Sequence, residues 1–243
     1  MNSLAEKLVA LINQEGASSF FALKNLLGIA ATSLPKDGSL PSSQKELNAF
    51  KLIQEALFEL RKPTRRNLTQ DGVLWRGKIP FLDENLLTKI EHELDEFRKD
   101  AAPQKWGQYI SPGGALVQKY FASQELRFFV EKYSGRLEGA GVPSCLYYDE
   151  IGAHIKPHVD TDNFCVNLNV MISHRSESSR NSKLVIYPVG DALPVEVYLS
   201  PGEGILMYAD CIVHTRTPVS KGESIKNITV GFKPSSEIHE DIS

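Results

Sequence analysis

Residues 148–160 read Tyr-Asp-Glu-Ile-Gly-Ala-His-Ile-Lys-Pro-His-Val-Asp, a stretch that ends in the His-x-Asp sequence of His158 and Asp160. Side chains alternate between the two faces of an extended strand, so residues two positions apart point to the same side. His158 and Asp160 are therefore expected to project together. A further histidine, His214, follows far downstream in Val-His-Thr-Arg and would complete a triangle from a distant strand.

Two imidazoles and one carboxylate on a triangular face form a donor set suited to Fe(II), and they leave the opposite face open for a co-substrate and O₂. We therefore predict an iron site made of His158, Asp160 and His214. A His-x-Asp sequence alone is also typical of a loop with a solvated aspartate. The neighbouring sequence is needed to distinguish a metal site from such a loop. His154 lies close by but at the wrong spacing for a ligand.

The sequence changes in character from about residue 142. Short runs rich in β-branched and apolar residues alternate with Gly, Pro, Asn and Asp turns, which is typical of an antiparallel sandwich or jelly roll. The predicted strand segments cover residues 164–172, 183–188, 201–207 and 226–232.

Tyr148, Gly152, Pro157 and the order of these strands around the His-x-Asp sequence and His214 resemble the Fe(II)/2-oxoglutarate oxygenase superfamily, most closely its prolyl-4-hydroxylase-like branch. The resemblance covers about residues 144–234. It implies a double-stranded β-helix (a cupin-like jelly roll), with Fe(II), 2-oxoglutarate as co-substrate, and O₂. It also implies that the Tyr148 hydroxyl contacts the co-substrate, although a packed aromatic residue at a strand end is an equal alternative.

The last predicted strand supplies a candidate anchor for the distal carboxylate of 2-oxoglutarate. Lys226 shares a face with the apolar residues Ile228, Val230 and Phe232, so this face is expected to point inward, where a lysine would need an anion. The resemblance implies a basic residue here, although Lys226 lies twelve positions past His214, slightly farther than in the family. Arg216 is the rival anchor; it would otherwise bind a substrate carboxylate or be solvated at the rim.

Other polar residues are candidates for binding the co-substrate or the substrate. Asn167 and Asn169 share a strand face and are predicted to form hydrogen bonds from a pocket wall, unless that face is partly solvated. Arg66 and Arg216 are available for a substrate carboxylate, although a solvated role is the more ordinary one for Arg66.

The first half is predicted to be mainly helical, from its apolar periodicity. We expect a single α+β domain over residues 1–243: a mainly helical part at 1–141 packed on one sheet, a jelly-roll core at 142–234, and a tail at 235–243. Helical segments are predicted at residues 4–12, 20–31, 43–60, 83–97 and 125–133, and further strands at 73–75 and 116–121.

Composition limits the classes of partner and location. Hydrophobic content of 42% and charged content of 23% are ordinary for a globular protein. A net charge of −3 gives no electrostatic reason to expect nucleic acid or an anionic membrane as a partner. The three cysteines indicate buried free thiols in a reducing compartment. The first residues show no signal peptide, so we expect a cytoplasmic protein.

The sequence therefore predicts a dioxygenase that hydroxylates an unactivated C–H bond of a small molecule, such as an amino acid or a natural-product intermediate, and releases succinate and CO₂. Asp160 favours hydroxylation over halogenation, because related halogenases have Gly or Ala at this position. Two alternatives remain: a protein or peptidyl (prolyl-type) hydroxylase, and a non-catalytic cupin-like binding protein. Nothing in the sequence predicts the oligomeric state.

Overall fold

A computed structural model describes residues 17–36, 38–177 and 179–235, with side chains from residue 22 onward. Helices and antiparallel sheets are both present, which confirms the α+β class. The residue 4–12 segment lies outside the described residues, as does most of the predicted tail. No helix in the described part of the chain is both long and apolar enough to cross a membrane.

Within the described residues, every α-helix lies before residue 135. The helices are α1 (Ala17–Ser33), α2 (Gln44–Arg61), α3 (Glu84–Arg98), α4 (Ala115–Phe121) and α5 (Gln124–Ser134). The predicted starts of α2 and α3 are confirmed, since the Ser43 hydroxyl accepts a hydrogen bond from the Glu46 N–H and the Asp83 carboxylate accepts one from the Leu86 N–H.

The strand predicted over residues 116–121 is wrong, because this segment is α4. Its first turn is capped from outside: the Glu93 carboxylate of α3 accepts hydrogen bonds from the N–H groups of Gly114, Leu116 and Val117. These groups would otherwise lack partners at a helix start. A cap that comes from another helix leaves no local sequence signal.

The strands form one large and one small antiparallel sheet. They are β1 (Val73–Lys78), β2 (Ala102–Pro103), β3 (Tyr109–Ser111), β4 (Leu137–Tyr148), β5 (Ile155–His158), β6 (Val166–Ser176), β7 (Leu184–Ile186), β8 (Val195–Val197), β9 (Glu203–Tyr208), β10 (His214–Arg216) and β11 (Glu223–Pro234). The large sheet has the order β1-β9-β6-β11-β4-β3-β2, and the small sheet has the order β5-β10-β7-β8.

The helices cover both sheets, not the one sheet that the sequence led us to expect. Helices α3, α4 and α5 pack on β3, β4 and β6 of the large sheet, while α1 packs on β5 of the small sheet. Phe50 of α2 meets Tyr187, just after β7, edge to face with ring centroids 5.9 Å apart. The opposite faces of the two sheets enclose the cavity described next.

Candidate metal centre

The three predicted metal ligands meet between the sheets. His158 ends β5 and His214 begins β10, and antiparallel pairing places them directly opposite each other. The Asp160 Oδ1 atom lies 3.3 Å from Nε2 of His158 and 3.7 Å from Nε2 of His214. One ligand atom from each residue lies within 4.8 Å of the other two, so a single ion can contact all three.

Asp160 lies in the loop after β5 and not on the strand itself, which ends at His158. The loop is fixed because the Asp160 N–H donates to the Ala209 carbonyl at 2.7 Å. The alternation of a strand therefore does not by itself explain the shared direction of His158 and Asp160. A backbone contact with the segment after β9 helps to aim the carboxylate.

Both histidines are oriented through their second ring nitrogen. Nδ1 of His158 lies 2.9 Å from the Lys156 carbonyl, and Nδ1 of His214 lies 3.0 Å from the Ile212 carbonyl. A carbonyl only accepts hydrogen bonds, so each Nδ1 carries the proton and each neutral ring leaves the Nε2 lone pair free for a metal.

The three side chains shift one another's pKa values. Burial and the neighbouring His158 lower the pKa of His214 to about 4, so its ring is neutral near pH 7. Burial disfavours the Asp160 carboxylate, but both histidines outweigh it and hold the pKa of Asp160 below its usual value. Burial also opposes protonation of His158, yet contact with Asp160 raises the pKa of His158 overall. The Asp160 carboxylate is therefore held in its charged form next to the two imidazoles.

The cavity next to these residues has a volume of about 230 Å³ and is lined from both sheets. Besides the three candidate ligands, its walls are formed by Ile110, Ser144, Leu146, Tyr148, Ile155, Phe164, Asn167, Asn169, Leu184, Thr215, Arg216 and Thr229. A larger groove of about 1170 Å³ lies between α2 and the residue 188–192 segment and includes none of the predicted site residues.

Arg216 is the one basic side chain, apart from the two histidines, among the described residues that line this cavity. It is 5% exposed, and its guanidinium lies over the Tyr148 ring, 5.4 Å from the centroid. With the Asn227 amide turned to satisfy its neighbours, the Asn227 oxygen accepts from Arg216 Nη2 at 3.0 Å. Burial lowers the pKa of Arg216, while Tyr148 and Glu223 raise it. The Glu223 carboxylate is bound by His174 and by the N–H groups of Asn181 and Ser182, and the two direct neighbours of the guanidinium are uncharged, so the guanidinium can still pair with an anion in the cavity.

No protein-family model matches the chain, and no curated protein matches it. Solved structures do. A Pseudomonas putida prolyl-4-hydroxylase superposes with a TM-score of 0.55 and 17% identity, over 74% of this chain and 99% of that one. A Trichoplax adhaerens prolyl hydroxylase, in complex with a hypoxia inducible factor peptide fragment, gives 0.55 and 14%, over 79% and 94%.

A third structure is the epimerase SnoN from nogalamycin biosynthesis, in complex with Fe³⁺, alpha ketoglutarate and nogalamycin RO. It superposes with a TM-score of 0.54 and 14% identity, over 74% of this chain and 83% of that one. The chain has the fold of the Fe(II)/2-oxoglutarate oxygenases. The resemblance predicted from the sequence is thus confirmed at the level of the fold.

Within this oxygenase fold, Lys226 lies outside the cavity, so the predicted orientation of the last strand is wrong. Its Nζ atom lies 2.6 Å from Asp95 and 3.5 Å from Glu91, both on α3. The apolar face of β11 is buried on the side where Lys226 meets α3, and the cavity side carries polar residues such as Thr229. Because both faces of β11 are covered, an apolar face does not identify the cavity side.

The remaining predicted residues divide into two groups. Tyr148, Asn167 and Asn169 line the cavity between the sheets. Arg66 does not: it is exposed, and its carbonyl accepts a hydrogen bond from the Tyr208 hydroxyl at 2.8 Å. The structure therefore gives no support to Arg66 as a substrate-binding residue.

Sequence reasoning missed a buried charge cluster beside the centre. Asp210 is fully buried, and its carboxylate lies 2.7 Å from Arg65 and 3.0 Å from Arg61 of α2. Arg61 also contacts Asp162 at 2.8 Å, and Lys24 of α1 pairs with the same carboxylate. The cluster thus joins the first two helices to the segment that follows Asp160. No motif marks it in the sequence.

Proposed function

We propose that the protein is an Fe(II)- and 2-oxoglutarate-dependent dioxygenase. One observation carries the proposal: the cavity between the sheets has two imidazoles and a carboxylate at one point of its wall and a buried guanidinium at another. These are the two recognition elements that 2-oxoglutarate needs, a metal for its keto acid end and a cation for its distal carboxylate.

The residues present fit Fe(II). His158, Asp160 and His214 would hold the ion through one atom each and leave its other positions open. Arg216 would pair with the distal carboxylate of 2-oxoglutarate, and Tyr148 beside it would contact the same group. Iron with 2-oxoglutarate and O₂ supplies the oxidising chemistry, with succinate and CO₂ as co-products. The protein orients the substrate and excludes water.

We infer that β4–β11 form a double-stranded β-helix. Along these strands the chain passes between the large and small sheets in the order large, small, large, small, small, large, small, large. This order supports a jelly roll. It begins at Leu137, close to the predicted boundary at residue 142. We propose that the helical half and this core work as a single domain, because β1, β2 and β3 from the first half extend the large sheet.

We propose a small-molecule substrate that is hydroxylated at an unactivated C–H bond. A cavity of about 230 Å³ leaves limited room once 2-oxoglutarate is bound. Apart from the candidate ligands, the cavity wall carries the apolar residues Ile110, Leu146 and Phe164, which favours a substrate with an uncharged reacting group. Among the described residues, the wall offers no cation besides Arg216 to bind the carboxylate of an amino acid. SnoN, which has the same fold, is solved with nogalamycin RO.

Hydroxylation of a peptide is the second candidate, because the Trichoplax prolyl hydroxylase of the same fold is solved with a peptide fragment. We also propose a reducing compartment such as the cytoplasm, since Cys145, Cys165 and Cys211 are all buried free thiols.

The test is succinate formation from 2-oxoglutarate with Fe(II) and O₂, measured with a panel of small molecules and a panel of proline-containing peptides. Stimulation by small molecules alone supports the proposal, and stimulation by peptides alone supports the second candidate. A protein that binds Fe(II) and 2-oxoglutarate but forms no succinate with any of them would favour the cupin-like binding protein.

A further inference from the structure

We infer that Asn167 and Thr229 form a positioning relay that holds Asp160 as a one-oxygen metal ligand. The inference rests on the proposed function and assigns to Asn167 a role other than co-substrate binding. Neither Asn167 nor Thr229 is proposed to bind the metal directly. Both act through Asp160, from β6 and the neighbouring strand β11.

The relay consists of two short hydrogen bonds in series. The Asn167 Nδ2 atom donates to Oδ2 of Asp160 at 2.5 Å, and the Thr229 hydroxyl donates to Oδ1 of Asn167 at 2.5 Å. An ionised carboxylate only accepts, so the amide must present its NH₂ group to Asp160. The Thr229 hydroxyl donates to the oxygen of the same amide, which holds the Asn167 side chain in this orientation.

The two carboxylate oxygens of Asp160 therefore have different partners. Oδ2 of Asp160 is engaged by Asn167, while Oδ1 faces the Nε2 atoms of both histidines. A carboxylate that bound metal through both oxygens would fill a further coordination position. The relay therefore keeps that position available for the co-substrate or O₂.

Burial makes the relay rigid. Asn167 is 9% exposed and Thr229 is 8% exposed, so water competes poorly for their hydrogen bonds. Asn169 offers a natural comparison on the same strand, two positions farther along. It lines the same cavity, but its side-chain amide lies 3.2 Å from that of Asn227, away from Asp160.

The experiment measures Co(II) binding without 2-oxoglutarate, by calorimetry and by the visible ligand-field spectrum, so that neither readout depends on turnover. Asn167→Leu and Thr229→Val remove the two links with side chains of similar size. Thr229→Ser keeps the hydroxyl and is the conservative rescue. Asn169→Leu is the matched control for placing a leucine on this strand. Thermal unfolding verifies that each variant is folded.

We expect Asn167→Leu to bind Co(II) about 10- to 100-fold more weakly, with an altered spectrum, as is typical when the partner of a ligand is removed. Thr229→Val should show a smaller loss, and Thr229→Ser and Asn169→Leu should keep wild-type affinity. If Asn167→Leu and Thr229→Val keep the wild-type Co(II) affinity and spectrum, the relay is wrong and the proposed function stands. The same holds if Asn169→Leu loses as much Co(II) affinity as Asn167→Leu. A wild-type protein that binds no Co(II) overturns both the relay and the proposed function.

Discussion

His214 of β10 lies directly opposite His158 of β5, and the centroids of the two imidazole rings are 4.2 Å apart. Pairing of two short strands thus brings together residues that are far apart in the sequence. Both Nδ1 atoms face backbone carbonyls, so the strands also set which nitrogen each ring offers. The fold itself therefore supplies the geometry that we propose for metal binding.

Arg216 should anchor 2-oxoglutarate. Replacement by Met removes the buried cation, and loss of a desolvated charge pair costs roughly 2 to 4 kcal/mol. We therefore expect Arg216→Met to weaken 2-oxoglutarate binding about 30- to 700-fold, while Co(II) affinity stays near that of the wild type. Calorimetry of both ligands measures the two effects.

Lys226→Met is the control for this prediction, because Lys226 pairs with Asp95 on the outer side of the sheet. Its 2-oxoglutarate affinity should equal that of the wild type. If Lys226→Met loses the co-substrate and Arg216→Met retains it, the assignment of the anchor is wrong.

Asp210 should stabilise the fold. Asp210→Asn leaves the buried guanidinium groups of Arg61 and Arg65 facing an uncharged amide, and breaking a buried pair costs about 3 to 5 kcal/mol. Denaturant unfolding measures the loss. Asp191→Asn removes a carboxylate that is 96% exposed and paired with Lys51, so its free energy of unfolding should match that of the wild type.

The same carboxylate predicts a pH dependence. Burial would raise the pKa of Asp210, but Arg65 and Arg61 outweigh it and hold the pKa below the ordinary value of 3.8. As the pH falls below 3.8, the unfolded chain takes up the proton first, so this part of the stability is lost. The stability difference between wild type and Asp210→Asn should shrink in acid. A constant difference from pH 7 to pH 3 contradicts the prediction.

Gly231 of β11 should be needed for the position of the metal-binding loop. A Cβ atom added there would lie 2.7 Å from the Asn163 carbonyl oxygen and would overlap the Phe164 ring. We expect Gly231→Ala to destabilise the protein by about 1 to 3 kcal/mol and to weaken Co(II) binding, because the loop also carries Asp160. In Gly77→Ala the added atom meets the edge of the Trp75 ring at 3.1 Å, and metal affinity should be unchanged. If the wild type, Gly231→Ala and Gly77→Ala all bind Co(II) with equal affinity, Gly231 does not affect the position of Asp160.

The reaction should be hydroxylation, because Asp160, as the proposed third metal ligand, would occupy the position that a halide needs. Once a substrate is found, mass spectrometry with ¹⁸O₂ and excess chloride should show a product heavier by one oxygen atom, derived at least partly from O₂. A chlorinated product from the wild-type protein would overturn this prediction. Asp160→Gly should lose most activity and should not gain halogenation, since the surrounding residues are arranged for a carboxylate.

The part of the site that depends on residue type was predictable from the sequence. His158, Asp160 and His214 stand out because their donor atoms match one metal chemistry. Local signals also located two helices correctly, since Ser43 and Asp83 cap helices within their own segments.

The rest depends on contacts between distant segments. Lys226 was misassigned because both faces of β11 are buried: Lys226 meets α3 on one side, and the polar cavity lies on the other. Helix α4 was missed because its cap is Glu93 of another helix. The relay residue Asn167 was assigned to ligand binding because nothing in the sequence shows that its amide meets Asp160.

Anaerobic titration of the purified protein with Fe(II) and then 2-oxoglutarate tests the central claim most directly, because it needs no knowledge of the substrate. We predict one equivalent of Fe(II) bound, and a visible charge-transfer absorption that saturates with one equivalent of 2-oxoglutarate. The absorption should be lost in His158→Ala and His214→Ala. A wild-type protein that binds no Fe(II), or whose bound iron gives no absorption change with 2-oxoglutarate, would contradict the account.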